Sequence, residues 1–444
     1  MIKTHQSLLL IVLSALIFLY CAVVPLSGKD SRFSTISNDL MEIGVDRLAG
    51  GAIGFLGDRE HGNIVNCDDK GRYIQQSYYS GPKPYGKSSP HWPDWSWNPI
   101  TAGDDYGNAG EILELKNDGK SIYVKSIPKQ WALNNVPGEC IFETWITLAG
   151  NVAHVKQRLT NQRKDKTNYG AYPQELPALY TVGKLYRLFS YCGDAPFENQ
   201  PLKEIHDDKK DFSAFRATES WAAEINDKNW GLGICHPGVY DFRGGFRGKA
   251  GRGGPFDAST GYIAPLRQEI LDHNIVYEYN YCLILGKLDE IRKQANALCP
   301  HPALPDYHFV SDRQHWTYNN TRDSGFPTKG SLKIDLSGID PSMQSGETFW
   351  SAKDVPKLYV YASYHCAPGI AEIFFKGPSQ AFSQDRSCRF EIIADGQFHW
   401  YEIDLSKVPT YSGIIDGIRF DPTFEGKPGD SVDVAVISYK SPTN

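Results

Sequence analysis

Ile141-Phe142-Glu143-Thr144-Trp145-Ile146-Thr147-Leu148, then Ala149-Gly150-Asn151, then Val152-Ala153-His154-Val155-Lys156-Gln157-Arg158-Leu159, is the stretch that decides the fold class. Both runs alternate, and a glycine-asparagine turn separates them, which predicts a β-hairpin. One face carries Phe142, Thr144, Ile146 and Leu148, continued on the partner strand by Ala153, Val155 and Leu159. The other face carries Glu143, Trp145 and Thr147 opposite His154, Lys156 and Arg158. One side is therefore core. The other offers a carboxylate, an indole and bases, either as a ligand-binding face or as an ordinary solvated one.

Outward from this hairpin the chain stays in the same register of short strands and turns. Residues 43–285 read mostly as strand, and 41 glycines and 27 prolines in 444 residues supply the turns. Ala178–Tyr191 is ambiguous: Leu179, Val182, Tyr186 and Phe189 fit a helical stripe, and Gly183 weakens it. Leu288–Leu298 reads as one short helix, with Leu288, Ile291 and Leu298 inward and Asp289 and Glu290 at its start; Cys299-Pro300-His301-Pro302 stops it. Residues 300–329, rich in Pro, Asp and Asn, read as a linker. Beyond them come Ser331–Leu336, Lys357–Tyr364, Ile370–Lys376, Cys388–Ile393, Phe398–Leu405, Ile414–Phe420 and Val432–Tyr439, each bounded by turn signals. Seven such runs predict an antiparallel sandwich. The fold class is all-β, with a large domain at 31–299 and a smaller one at 330–444.

The N-terminus holds Lys3 and an apolar run from Leu8 to Val24, broken by Ser14. It reads as a signal peptide or an N-terminal anchor over residues 1–28, with the remainder secreted, periplasmic or at the cell surface. Ser31–Asp39 is polar and reads as a short leader. Eight further cysteines (Cys67, Cys140, Cys192, Cys235, Cys282, Cys299, Cys366 and Cys388) suit up to four disulfides after export, Cys366 with Cys388 first among them, or else buried thiols. A net charge of −6 gives neither a nucleic-acid footprint nor an acidic tail. No zinc-ribbon or zincin spacing occurs, so no metal or cofactor is called for, and a structural calcium ion is not legible. Membrane contact is expected only through the N-terminal run.

Between Asn63 and Tyr106 aromatic and amide side chains concentrate. Trp92, Trp95 and Trp97 lie within six residues, among prolines that forbid a helix. Rings that stack on the C–H faces of a sugar, beside groups that pair with its hydroxyls, point to a poly- or oligosaccharide partner; a loop pinned over a core is the structural alternative. Gln75, Gln76, Tyr78 and Tyr79 alternate, so one of each pair faces each side of a strand and one side is a candidate binding face, with Gln76 and Tyr79 as candidates; Arg72 either clamps a ligand carboxylate or forms a strand-entry ion pair with Asp68. Glu175, in Tyr172-Pro173-Gln174-Glu175-Leu176-Pro177, is the leading catalytic carboxylate, because flanking prolines hold it still and apolar neighbours raise its pKa. Glycoside hydrolysis needs a second carboxylate. Asp105 (beside Asp104), Glu143 and Glu219 are the candidates, and Trp145 and Trp221 accompany the last two as binding residues. His61 is a further acid–base candidate. Residues 237–265 are rich in glycine and carry Arg243, Arg247, Lys249 and Arg252, as a lid over a cleft, as cations for uronate or sulfate groups, or as a plain exposed loop.

The run Gln397-Phe398-His399-Trp400-Tyr401-Glu402-Ile403-Asp404-Leu405-Ser406, with Ile418-Arg419-Phe420-Asp421-Pro422 and Gly429-Asp430-Ser431-Val432-Asp433-Val434, resembles the end of a carbohydrate-binding-type β-sandwich of the sort attached to secreted bacterial glycan-degrading enzymes. The larger region, through Gly50-Gly51-Ala52-Ile53-Gly54 and Asn63-Ile64-Val65-Asn66, resembles the galactose-mutarotase-like β-supersandwich, a scaffold shared by several glycosidases and polysaccharide lyases. These resemblances imply an N-terminal β-supersandwich followed by a jelly-roll-like C-terminal sandwich. No catalytic motif of either family maps residue by residue. The expected activity is glycoside hydrolysis by paired carboxylates; elimination on an acidic glycan, with Tyr78, Tyr79, His61 and Arg243 in the working roles, and binding without catalysis are the alternatives.

Overall fold

The computed structural model describes residues 32–442, apart from 87–88, 208, 300–302, 347 and 379. The apolar run at 8–24 lies outside the described residues.

The hairpin forms as its alternation predicts. Cys140–Ala149 and Val152–Asn161 pair antiparallel, with Ala149 opposite Val152 and a left-handed Gly150 (φ 61°) in the turn. Phe142, Ile146, Ala153, Val155 and Leu159 enter the core. Seven more strands extend this hairpin into a nine-stranded sheet. An eleven-stranded sheet packs against it, and the core between them includes Tyr78, Leu176, Leu179, Phe242 and Ile263 from the larger sheet. Phe33–Ser37, in the segment expected to be a leader, is an edge strand of this sheet, because it hydrogen-bonds to Glu42–Asp46.

Leu288–Leu298 is a helix, as its stripe predicts. Ile291 and Ala295 lie on Trp221, Ala223, Cys235 and Ile284, so the helix covers part of the outer face of the nine-stranded sheet. The stripe at 178–191 is not a helix. Ala171–Val182 is a long strand, a turn follows, and Arg187–Ser190 is a strand of the other sheet.

The C-terminal strands form two five-stranded sheets around a core of Trp316, Trp350, Leu358, Val360, Ile373, Phe420 and Val434. The residues expected to link the domains belong to this sandwich: Asp306–His308 pairs with Ser431–Ser438, and Thr317–Asn319 with Ser342–Gln344. Arg313, 6% exposed, ties them back to the large domain by bridging Asp272 at 2.6 Å and Asp323 at 2.6 Å. The eight described cysteines are free thiols, Cys366 and Cys388 included, so the expected disulfides are absent among the described residues. Cys67, Cys140, Cys235 and Cys299 are small buried side chains, filling core as apolar residues do.

Candidate functional site

The outer face of the eleven-stranded sheet forms the floor of a cleft of about 570 Å³. Ser77 and Tyr79, Glu175 and Tyr180, Tyr262, Arg243 and Arg247 rise from four neighbouring chain segments, while the residues between them point into the core. A β-bulge sets Glu175. Glu175 lies opposite Leu266 and Leu179 opposite Ile263, so the strand carries one extra residue between them. Glu175 faces the cleft before the bulge and Ala178 and Tyr180 face it afterwards, whereas Leu176 and Leu179 are both core. Bulges re-aim side chains in this way.

Three tyrosines surround Glu175. The Tyr262 hydroxyl donates to its Oε1 at 2.5 Å, and the Ser77 and Tyr79 hydroxyls lie beside it and favour its charged form. Burial pushes the Glu175 pKa upward and outweighs those hydroxyls and the charge of Arg243, all of which pull it down. Burial first, and the Glu175 charge second, push the Tyr79, Tyr180 and Tyr262 phenols up, so each remains a proton donor. Gln174 fixes Tyr79: its Oε1 accepts the Tyr79 N–H at 2.6 Å, and its Nε2 donates to the Tyr79 carbonyl at 2.7 Å.

One wall is aromatic. Trp92 and Trp95 meet edge to face at 4.8 Å, Trp131 packs on Trp92 at 5.8 Å, and Asn98 accepts the Trp95 indole N–H at 3.1 Å. The opposite rim is cationic, with Arg72, Arg243, Arg247 and Lys210. Asp69 and Asp211 also line the cleft, but Asp69 is paired to Arg72 at 3.0 Å and Asp211 to Arg247 at 2.8 Å. Arg243 and Arg247 lie on the strand Asp241–Arg247, so this half of the glycine-rich stretch is sheet and not a lid.

Glu175, Trp92, Trp95, Tyr79, Arg72 and Arg243 therefore share one cleft. The other candidates lie elsewhere. Trp97 is fully buried, with the Arg163 guanidinium over its ring at 5.8 Å. Gln76 faces the inside of the sandwich and donates to the Glu143 carbonyl and the Thr144 hydroxyl across the core. Glu143 and Trp145 are on the outer face of the nine-stranded sheet, where Glu143 accepts from Tyr123 at 2.7 Å and Trp145 packs on Tyr123, Lys156 and Arg158. Glu219 is enclosed beneath the helix. Burial raises its pKa, yet bonds from Arg292, the Trp221 indole and the Phe197 N–H hold it below the usual carboxylate value, so it is a fixed counter-ion. Trp221 is buried with it. His61 stacks on Trp230 at 3.4 Å and bonds to Asp58 at 2.9 Å, outside the cleft. Asp105 bonds to His91 at 2.9 Å in an adjoining hollow beyond Trp92 and Trp131. None of the three carboxylates expected to accompany Glu175 is in its cleft.

No family model and no curated protein matches the chain. Solved structures align with somewhat more than half of the chain. A galactose mutarotase related enzyme from Lactobacillus acidophilus aligns with 57% of this chain and 97% of its own, at 12% identity and a TM-score of 0.35. A galactose mutarotase-like protein from Lactobacillus casei aligns with 57% and 99%, at 11% identity and a TM-score of 0.35. The 4-alpha-glucanotransferase of Thermococcus litoralis aligns over 58% of this chain and 38% of its own, at 12% identity and a TM-score of 0.32.

Proposed function

We propose that the cleft binds an acidic saccharide and cleaves it by elimination, with Glu175 as the base. The observation that carries this reading is the charge arrangement. Glu175 has no ion-pair partner among the described residues, whereas the other two cleft carboxylates are each held by an arginine. A general base with an upward-shifted pKa is a stronger proton acceptor. Cations at the rim match a uronate carboxylate, and guanidinium groups suit it best.

The residues then divide the work. Arg243 neutralises the uronate carboxylate and so acidifies the adjacent C–H. Glu175 takes that proton, the bond from the neighbouring carbon to the bridging oxygen breaks, and a carbon–carbon double bond forms. Tyr79, partly buried beside Glu175, donates its hydroxyl proton to the departing oxygen. The proton on Glu175 then passes to the neighbouring Tyr79 oxygen, which restores both groups. Trp92 and Trp95 hold the sugar face, and Tyr262, nearly buried, positions Glu175. Hydrolysis is the second reading, favoured by Asp211 lining the same cleft as Glu175. Export out of the cytoplasm belongs to the same proposal.

Acidic and neutral glycans incubated with the protein separate the outcomes. Ultraviolet absorbance of an unsaturated uronate marks elimination. New reducing ends without it mark hydrolysis and overturn the elimination step, and no product from any glycan overturns the enzymatic reading. Glu175→Gln is expected to lower turnover by about 10²–10⁴-fold while leaving the circular dichroism spectrum intact.

A further inference from the structure

The cleft does not end at Glu175. A second hollow of about 400 Å³ shares Tyr79, Trp95, Glu175 and Arg243 with it and runs past Tyr172 and Pro173. That hollow shares Pro173, Ala214 and Leu266 with a third, of about 570 Å³, which lies in the seam between the two sandwiches. The shared walls make one groove of three lobes. Sites for drug-sized ligands enclose about 300–1,000 Å³, so each lobe alone is of ligand size.

The far lobe is built from both domains. The large domain supplies Arg267 and Leu266, and the C-terminal sandwich supplies Lys376 and Phe382. Arg267 is 8% exposed and already fixed, with Nη2 donating to the Pro237 carbonyl at 3.0 Å and Nη1 against His315 Nε2 at 3.0 Å; its Nε has no partner among the described residues. Lys376 is held by Asp416 at 3.0 Å and lies over the Phe382 ring at 5.9 Å. A buried arginine in the wall, an ammonium group held by Asp416 and a half-buried ring repeat the chemistry of the near lobe: cations for carboxylates and an aromatic face for a sugar ring. Lys83 in the middle lobe continues the cations between the two ends.

We infer that the seam lobe is a distal subsite for the same acidic saccharide, so that the ligand is an oligo- or polyuronate chain lying across both domains. The C-terminal sandwich binds substrate in line with Glu175. This rests on the reading of the cleft given above.

The test uses the full chain carrying Glu175→Gln, so that ligand is not consumed, with oligogalacturonates and alginate oligosaccharides from the disaccharide upward and cello-oligosaccharides as the neutral series. Calorimetric titration is expected to show affinity rising with length in an acidic series only. Phe382→Ala should weaken the long members about tenfold and leave the disaccharide unchanged. Ala214→Trp, at an exposed position in the neck, should bring the long members down to the affinity of the disaccharide. Equal affinity at every length, or no effect of Phe382→Ala at any length, overturns the distal subsite and leaves the Glu175 cleft standing. Length-dependent binding of the neutral series overturns the acidic class. No binding by any series overturns the cleft reading and the subsite with it.

Discussion

Glu175 is set by opposing effects of similar kind. Burial favours its neutral form, and donors from Tyr262, Ser77 and Tyr79 favour the charged one. Removing a donor therefore has a defined sign. Tyr262→Phe deletes the 2.5 Å hydrogen bond that stabilises the carboxylate, so the pKa rises further. Because the base works deprotonated, the acidic limb of the pH–rate profile should lie above the range of an ordinary glutamate, and Tyr262→Phe should move it to still higher pH. Measured kcat/KM against pH checks this; a limb that stays in place removes Tyr262 as the positioning residue. Stability follows the same linkage. A carboxyl group whose folded pKa exceeds its unfolded one contributes stability below the unfolded value and loses it as pH rises through the folded one. The protein should thus gain thermal stability from Glu175→Gln at alkaline pH and little at acid pH, as thermal melts at the two extremes would show.

At the scale of elements the extra residue in Ala171–Val182 gives a sharper test. Deleting Pro177 would leave Glu175 outward, Leu176 inward, Ala178 outward and Leu179 inward, a plain alternation with an uninterrupted register to Thr260–Ile270. The deletion should fold, with unchanged circular dichroism, and lose most turnover because the bulge adds local twist that sets the angle at which the Glu175 carboxylate meets Tyr262. Full activity in the deletion variant would remove the bulge from the mechanism. The same strand explains where sequence reading stops. The hairpin at 141–159, the helix at 288–298 and the C-terminal strands are written in local alternation, period and turn residues. A bulge and a turn placed Leu179, Val182 and Phe189 at spacings that mimic a helix. Glu175 and Trp92 were legible as candidates through local composition and rigid prolines. Tyr262 was not, because it meets Glu175 across 87 positions of chain. Trp97 and Glu219 look like site residues in sequence, yet which way a loop tryptophan turns, or whether an arginine on a distant helix meets a glutamate, is decided by packing that no short window contains.

For the whole molecule the consequential feature is that the segment after the helix is not a tether. Arg313 from that segment holds Asp272 of the large domain and Asp323 of its own, the Phe326 N–H adds a second bond to Asp272 at 2.9 Å, and Tyr240 stacks on Phe349 across the seam at 5.5 Å. A buried cation between two carboxylates leaves both uncompensated when it is removed, which costs about 3–5 kcal/mol. The intact chain should therefore melt as one cooperative unit, with the domains coupled through this contact. Arg313→Ala should lower the melting temperature and split the calorimetric endotherm in two, since each sandwich retains its own core. A surface control, Lys120→Ala on the turn between two strands of the nine-stranded sheet, should leave a single transition in place. If Arg313→Ala melts as the control does, the ion triad is not what couples the domains, and the coupling would rest on the other contacts across the seam, Arg216 to Asp416 at 2.5 Å and His315 to Glu269 among them.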